Sequence, residues 1–228
     1  MAHNGKITIV KYTTEKPLNM IGELTGVCWN SPIDDASKNI ERAMDCLESG
    51  HGRTAEFPDI YMIIDGYSAR VMREFYTHIG GSPTRLQSST RYVDAKTFKA
   101  IIPPSISSSE KATNIYNDTI ESIRKGYTEL LNLGVDKEDA AMLLPLGMES
   151  KMVDKCNFRH LMDMSRQRMC NRAYWEYRKL FKDICKALSE YSSQWDYLIK
   201  NYCYPKCEVT KSCPEKRGSC GRHPRIGK

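Results

Sequence analysis

The sequence predicts an α+β protein in which long helices pack on a small, mostly antiparallel sheet. Lys6–Thr13 alternates and is rich in β-branched residues, and Ile60–Asp65 is a short apolar run, so both segments are typical of strands. From Ser109 or Glu110 to about Leu133 the apolar residues recur at helical spacing. The region from about Asp154 to Asn201 is also expected to be helical. Two strands and two long helices therefore form the predicted framework.

Shorter elements complete this framework. In chain order they are a helix over Ala36–Ser49 stopped by Gly50, a turn over His51–Pro58, a helix from Ala69 to Gly80 capped by Ser68, a pair of strands within Tyr92–Pro103, and a helix from Asp136 to Leu144 broken by Pro145.

Composition places the chain among soluble globular proteins. It has 228 residues, 40% hydrophobic and 27% charged, which suits one large domain with a sizeable core. No apolar run approaches the roughly 20 residues that span a bilayer, and the N-terminus lacks the apolar centre of a secretory signal. We therefore expect a cytoplasmic protein with no membrane partner, organised as a body over 1–200 and a tail over 201–228.

The net charge of +6 is concentrated in that tail. Residues 201–228 hold seven Lys or Arg and two Glu, which is +5, so the other 200 residues carry only +1. A nucleic-acid-binding protein usually spreads its basic residues along one face of its fold. The distribution favours a solubilising tail over a nucleic-acid site.

Nine cysteines are present, and four of them cluster in the tail. The five others lie mostly in helix-like segments and are expected to be reduced core residues. The tail cysteines could bind a structural Zn²⁺, with His223 as a substitute for one ligand, because four thiolates suit its tetrahedral geometry. Free thiols or disulfides remain the alternatives. The proposed ligands are Cys203, Cys207, Cys213 and Cys220.

Two segments carry candidate ligand-binding residues. Ser88, Ser89 and Thr90 precede Arg91, and hydroxyls beside a planar guanidinium suit a phosphate or carboxylate. In the late helical region one apolar stripe is formed by Met162, Met169, Ala173, Leu180, Ile184 and Tyr191. Arg168 projects away from this stripe, so it must find an anion, a salt-bridge partner or water.

Together these segments resemble the flavin-dependent thymidylate synthases. REFYTHIGGSPTRLQSSTRY (Arg73–Tyr92) is similar to the signature of that family, which ends Ser-x-Arg-Tyr. The later block of the family reads Leu-Pro, then Asn-x-Arg-x-Leu, an Arg and Gln-Trp-Glu-Ile. It is matched by Leu144-Pro145, by Asn157 to Leu161, by Arg168 and by Trp175-Glu176-Tyr177. Gly50-His51 with Thr54 is a weaker match to His-x-Thr-Pro.

The resemblance implies an activity and a set of partners. The family methylates dUMP to dTMP with methylenetetrahydrofolate as carbon donor, reduced FAD as hydride donor and NADPH as reductant of the flavin, in a homotetramer whose active sites are shared between subunits. Arg168 matches the residue that activates the uracil. The other substrate positions are Arg73, Glu74, Gln87, Ser88, Ser89 and Arg91, and the cofactor positions are Thr54, His78, Ile79, Gln87, Asn157, Arg159 and Asp163.

The chain also departs from the family pattern. Thr77 and Ile79 stand where two Arg usually flank the His of the signature, and the loop after His78 is about two residues longer. We therefore expect Arg70, Arg85 or Arg172 to compensate by holding nucleotide or flavin, and Arg85 is the first choice because the longer loop carries it. Two alternative functions remain. One is a related flavin-dependent enzyme that hydroxymethylates C5 of a pyrimidine nucleotide, and the other is a zinc-tailed nucleic-acid-binding protein on an inactive scaffold.

Overall fold

The computed structural model describes residues 5–226. In this part of the chain four strands form one small antiparallel sheet in the order β1-β2-β4-β3. The strands are β1 (Lys6–Ile9), β2 (Asp59–Ser68), β3 (Thr84–Gln87) and β4 (Glu149–Asn157). Helices make up most of the remaining structure, so the predicted α+β class is confirmed. The homotetramer stays a prediction.

Ten α-helices are present in the described residues. They are α1 (Pro17–Cys28), α2 (Ala36–Glu48), α3 (Ala69–Tyr76), α4 (Pro104–Ser107), α5 (Glu110–Asn132), α6 (Lys137–Ala140), α7 (Phe158–Arg168), α8 (Trp175–Tyr191), α9 (Ser193–Tyr202) and α10 (Lys206–Thr210). None of these helices is long and apolar enough to cross a membrane.

The α1 helix was not predicted, because two glycines within twelve residues lower its helix propensity. Its position depends on close packing against α2. A Cβ at Gly22 would lie only 1.7 Å from the Asn39 carbonyl oxygen, so no larger residue fits at this contact. Pro17 occupies the first turn, where its missing N–H costs nothing.

The α5 helix matches its prediction closely, because both of its ends carry strong local signals. The Ser109 hydroxyl accepts a hydrogen bond from the Ala112 N–H, and Gly134 has a φ of +85° just beyond the last turn. The inner face of α5 joins a core cluster through Ile120 and Tyr127, with Phe98 packed in the same cluster.

The prediction of one helical region from Asp154 to Asn201 is wrong. Residues 149–157 form β4, and the helical part is interrupted over 169–174 and again at Ser192. The buried face of β4 includes Ser150 and Asp154, and these polar residues hide the alternation of a strand. The apolar stripe expected along a continuous helix is therefore divided between α7, the turn after it and α8.

The predicted strands between Tyr92 and Pro103 are also wrong. This segment contributes only an isolated bridge between Ala100 and Met148, and the strand lies earlier, at β3. The helix from Ala69 ends at Tyr76, four residues before Gly80. Positive φ angles at Gly81 and Ser82 then turn the chain into β3.

The described chain divides into two compact units. The first comprises the chain up to Lys6, Ile64–Thr77 and Leu86–Val153, and the second comprises Ile7–Ile63, His78–Arg85 and the chain from Asp154 on. The division into 1–200 and 201–228 stays a prediction, and residues 1–4 and 227–228 of those ranges lie outside the described residues.

The tail is folded against other parts of the second unit. The Arg166 guanidinium lies over the Tyr204 ring at 4.5 Å from its centroid, and Ser165 donates a hydrogen bond to the Tyr204 carbonyl. Further along, the Ile226 N–H donates to the Cys213 carbonyl at 3.0 Å, which closes the end of the tail on itself. Glu208 pairs with His223 at 2.9 Å.

Candidate active site

Arg168 is held in a defined orientation at the C-terminal end of α7. This helix begins where the Asn157 side chain accepts a hydrogen bond from the His160 N–H, and Arg168 is its last residue. The Arg168 Nε donates to Nε2 of His78 at 2.8 Å. Its guanidinium carbon lies 4.2 Å from the centroid of the buried Tyr177 ring, a cation–π distance. Two different side chains therefore orient the guanidinium plane.

A second arginine lies behind this contact. The Arg85 Nε and Asp154 Oδ1 are 2.7 Å apart, and the two side chains are only 4% and 0% exposed. Arg85 also donates from Nη1 to the His78 carbonyl at 2.7 Å and from Nη2 to Nε2 of His160 at 3.0 Å. Arg85 thus connects a buried carboxylate to both histidines.

These contacts determine the protonation of the histidines. An arginine side chain only donates hydrogen bonds, so Nε2 of His78 and of His160 must both be acceptors. Burial is the main cause that lowers the pKa of His78 to about 4, with the charge of Arg168 as the next cause. Burial and then Arg85 lower the pKa of His160. Both rings are therefore neutral at pH 7 and can accept from the arginines.

Asp154 is the acidic member of this group. Burial raises its pKa, and the adjacent Arg85 opposes that rise through its charge and hydrogen bond. Burial also raises the pKa of the neighbouring Cys156 well above its ordinary value, with the Asp154 charge as a further cause. The Cys156 thiol is therefore protonated at neutral pH and is not a nucleophile.

The role of Arg85 differs from the one expected from the sequence. We expected it to hold nucleotide or flavin directly, in place of the arginines missing from the signature. The structure instead encloses its side chain, which donates hydrogen bonds to Asp154, to the His78 carbonyl and to His160. A buried guanidinium with these contacts can affect the site through the residues that it holds, His78 and His160.

Most of the predicted cofactor residues lie near the start of α7. Arg159 pairs with Asp163 at 3.0 Å, and both side chains are partly exposed, so a ligand can reach them. The Arg159 guanidinium lies against the backbone of Gly52, in the turn that carries Thr54. A Cβ added at Gly81 would lie 3.2 Å from the Asn157 amide, so the turn that follows His78 and Ile79 passes close to Asn157. A cation beside a backbone turn suits the diphosphate of a dinucleotide cofactor.

The predicted phosphate-binding residues belong to the first unit. The Ser88 N–H donates to the Lys151 carbonyl at 2.8 Å, and the Ser89 hydroxyl accepts from the Arg91 N–H at 3.2 Å. Arg91 forms an ion pair with Glu138 at 2.6 Å, with both side chains more than half exposed. Such an exposed pair is weak, so an anionic ligand can replace the carboxylate.

Three further predicted substrate residues lie in the same unit, and one of them, Gln87, is also a predicted cofactor residue. Gln87 donates to the Ser150 hydroxyl at 3.0 Å, Arg73 is exposed on α3, and Glu74 pairs with Arg70 along the same helix. The structure therefore places the predicted site residues in two groups, one in each unit.

The structure does not gather the four predicted zinc ligands. Within residues 5–226 no three Cys, His, Asp or Glu side chains are placed to hold a metal ion. Cys203 is buried, and a hydrogen bond with Cys185 is the main cause that raises its pKa. The other three instead line a cleft of about 380 Å³ together with Cys170 and Arg168. As they stand, these cysteines do not fit a tetrahedral ion, and their ligand role stays a prediction.

Three residues that contact His78, Arg85 or Arg168 were not identified as candidate site residues from the sequence. The sequence prediction puts Asp154 in a helix, and it gives His160 and Tyr177 only as motif positions. Ser150 and Asp154 hide the alternation of β4, so no clear local pattern indicates the strand that carries Asp154. No local signal connects Asp154 with Arg85, since 69 positions separate them.

Comparison with known proteins gives consistent matches over most of the chain. The family model described as thymidylate synthase complementing protein matches residues 8–192. A protein of Clostridium tetani named flavin-dependent thymidylate synthase is 28% identical over a gapped alignment of 241 positions. The alignment covers 95% of this chain and 93% of that protein. A protein of the same name from Nitratidesulfovibrio vulgaris is 30% identical over 189 residues, 78% of this chain and 74% of that protein.

A third relative also matches over most of its length. A Pyrococcus furiosus protein, again named flavin-dependent thymidylate synthase, is 27% identical over 228 residues and covers 92% of this chain and 90% of its own length. The family model ends at residue 192, before the whole of α9 and the cysteine-rich tail.

Proposed function

Since the chain belongs to the family of thymidylate synthase complementing proteins, an enzyme family, we propose that it converts dUMP to dTMP by reductive methylation. Methylenetetrahydrofolate would supply the carbon and leave as tetrahydrofolate, while the uracil C5 loses its proton. FAD in its reduced form would supply the hydride that completes the methyl group, and NADPH would reduce the flavin again.

The orientation of Arg168 is the observation that carries this proposal. Uracil C5 becomes a nucleophile when negative charge on the pyrimidine ring is stabilised, and a fixed guanidinium can provide that stabilisation. Arg168 is oriented by His78 and Tyr177 and lines an open cleft. Preorganised charge of this kind needs no rearrangement when the reaction occurs.

The remaining site residues would bind the other ligand groups. Ser88, Ser89 and Arg91 would hold the dUMP phosphate, because hydroxyls and an exposed guanidinium match its oxygens. Arg159, with the turn that carries Thr54, would hold the flavin diphosphate, and Asn157 and His78 would lie near the flavin. No cysteine nucleophile is required, which agrees with the raised pKa of the buried Cys156 thiol.

We further propose a homotetramer whose active sites combine residues from different subunits. Arg159 and Arg168 are nine positions apart on α7, so they project from nearly opposite sides of that helix. Two sides of one helix can serve one kind of site when neighbouring subunits each contribute a side. A cytoplasmic location remains the expectation from the sequence, and zinc is not needed for this reaction.

A direct assay tests the function. Purified protein should show a flavin absorption spectrum and should form dTMP from dUMP, methylenetetrahydrofolate and NADPH, identified by mass spectrometry. A parallel reaction with dCMP, and the mass of any product, separates methylation from hydroxymethylation. Colourless protein with salt-sensitive binding to DNA or RNA and no product would contradict the proposal. Lys186→Ala, on an exposed part of α8, is a suitable control variant.

A further inference from the structure

A chain of three contacts, with a fourth contact branching from it, joins a buried carboxylate to the guanidinium at the proposed active site. Asp154 accepts from Arg85 at 2.7 Å, and Arg85 donates to the His78 carbonyl at 2.7 Å. The His78 ring in turn accepts from Arg168 at 2.8 Å. The fourth contact joins Arg85 to His160, whose ring lies edge-on to that of His78 with centroids 6.4 Å apart. All five residues belong to the second unit.

Burial shields the ion pair in this chain of contacts from water. The side chains of Arg85 and Asp154 are 4% and 0% exposed, so water cannot replace either partner. A buried ion pair contributes little net stability compared with apolar residues of similar size, because both charges lose their hydration. Its clearer effect is directional, since the planar fork of Arg85 makes three hydrogen bonds in one fixed geometry.

The acceptors of Arg85 show which parts of the fold its side chain connects. One of them is the His78 backbone carbonyl, which lies in the turn between α3 and β3 rather than in regular structure. Another is the His160 ring on the first turn of α7. Arg85 thus joins the turn that carries His78 to the helix that carries Arg168. Displacement of Arg85 would move the acceptor of the Arg168 hydrogen bond.

We propose that Arg85 and Asp154 are positioning residues that orient Arg168 through His78. The proposal rests on the function proposed above, in which Arg168 stabilises charge on the pyrimidine. Neither Arg85 nor Asp154 touches substrate in this scheme. Their effect on catalysis must therefore disappear when Arg168 itself can no longer act.

A double-mutant cycle tests this dependence. Arg85→Lys keeps a positive charge beside Asp154 but lacks the planar fork whose three nitrogens reach the three acceptors. In otherwise wild-type enzyme we expect kcat to fall on the order of ten- to a hundredfold, as for a misplaced catalytic group. In an Arg168→Lys background the same substitution should change kcat less than about twofold, because residues that act as a unit are not additive. An equal loss in both backgrounds, or no loss in either, overturns the proposal.

A structural measurement keeps the test independent of activity. In protein labelled with ¹⁵N-histidine, the His78 ring should be neutral with its proton on Nδ1 in wild type, and Arg85→Lys should shift that resonance. A proton on Nε2 of His78 in wild type, or an unchanged resonance in the variant, contradicts the linkage even if no dTMP is formed. If the resonances are as expected but no dTMP is formed, the proposed function is contradicted and the linkage between Arg85 and His78 is not.

A second variant covers the case in which Arg85→Lys does not fold. Arg85→Met combined with Asp154→Asn removes both charges together, so no unpaired ion remains in the core. We expect this double variant to keep its circular dichroism spectrum and flavin content but to show the same loss of kcat and the same dependence on Arg168. Full activity of the folded double variant would overturn the positioning role.

Discussion

Arg168 donates a hydrogen bond from Nε to Nε2 of His78 across 90 residues of sequence, at 2.8 Å. The acceptor is a neutral imidazole, because burial and the neighbouring arginine charges keep the pKa of His78 near 4. The neutral ring therefore orients the guanidinium plane without adding a charge of its own. This combination suits the stabilisation of an anion that forms only during reaction.

Substitution of Arg168 should affect the chemical step far more than flavin binding. We expect Arg168→Lys to lower kcat/KM for dUMP by about a hundred- to a thousandfold, the usual cost of losing one preorganised group at a developing charge. Flavin content, measured by absorbance, should stay within error of wild type. Lys186→Ala should leave both quantities unchanged, since its exposed pair with Glu190 lies on α8. Activity near wild type in Arg168→Lys would remove Arg168 from the chemistry.

Removal of the Asp154 carboxylate should destabilise the fold strongly. Asp154→Ala leaves Arg85 buried without its ion-pair partner, and such a change costs about 3–5 kcal/mol in free energy of unfolding. The matched control is Glu190→Ala, which removes an exposed ion pair and should cost less than about 1 kcal/mol. Urea denaturation at one fixed protein concentration measures both. Similar losses in the two variants would contradict the importance of burial.

Acidification should reduce stability through His78. Its pKa is about 4 in the folded protein and returns to an ordinary value of 6.5 on unfolding, so the unfolded chain takes up a proton first as the pH falls. Stability contributed by neutral His78 is therefore complete above about pH 6.5 and is lost as the pH falls towards 4. The groups that face the ring are Arg168, Arg85, His160 and Tyr177.

Thermal unfolding between pH 7 and pH 4 tests this behaviour. His78→Gln keeps an acceptor for Arg168 but cannot titrate, so its melting temperature should fall less steeply than that of wild type. The exposed His51 provides the control, and His51→Gln should follow the wild-type curve. Parallel curves for wild type and His78→Gln would show that His78 does not have a depressed pKa.

Thiol reactivity should separate the cysteines into two classes. Cys28 and Cys220 are exposed and should be alkylated quickly by iodoacetamide. Cys156 and Cys203 should react slowly, because both are buried and have raised pKa values, Cys203 chiefly through its hydrogen bond with Cys185. Mass spectrometry of timed digests gives the rates. Fast labelling of Cys203 would contradict its placement in the core.

The same placement of Cys203 makes a prediction about metal content. Because its thiol lies beside Cys185, we expect Cys203→Ser to leave the zinc content of purified, reduced protein the same as in wild type. Elemental analysis provides the measurement, with the exposed Cys220 substituted in parallel. Zinc that is present in wild type and lost in Cys203→Ser would support the ligand set expected from the sequence.

Shared active sites should permit complementation between inactive variants. If one site takes Arg91 from one subunit and Arg168 from another, mixed tetramers of Arg91→Ala and Arg168→Lys subunits contain some sites with both arginines. We expect co-refolded mixtures to regain a measurable part of wild-type dTMP formation, while each variant alone stays low. Recovery no greater than the sum of the separate variants would argue that each subunit supplies a complete set of residues.

Local signals in the sequence were sufficient where one segment determines its own structure. Ser109 and Gly134 bound α5 because a hydroxyl cap and a left-handed residue act on neighbouring backbone groups alone. The strands β1 and β2 also follow from their own β-branched or apolar residues. The motif that contains Arg168 is likewise recognised from residues close to it in sequence.

The α1 helix, β4 and the Arg85–Asp154 pair required the tertiary structure. Gly22 disfavours a helix locally, but it permits the close contact with α2 that stabilises one. Asp154 looks like a surface residue of a helix until Arg85 is placed beside it in the core. The sequence alone determined which residue types and motifs the chain carries. Only the folded chain decided which of them meet, because the energies that bury a charge or pack a glycine come from residues distant in sequence.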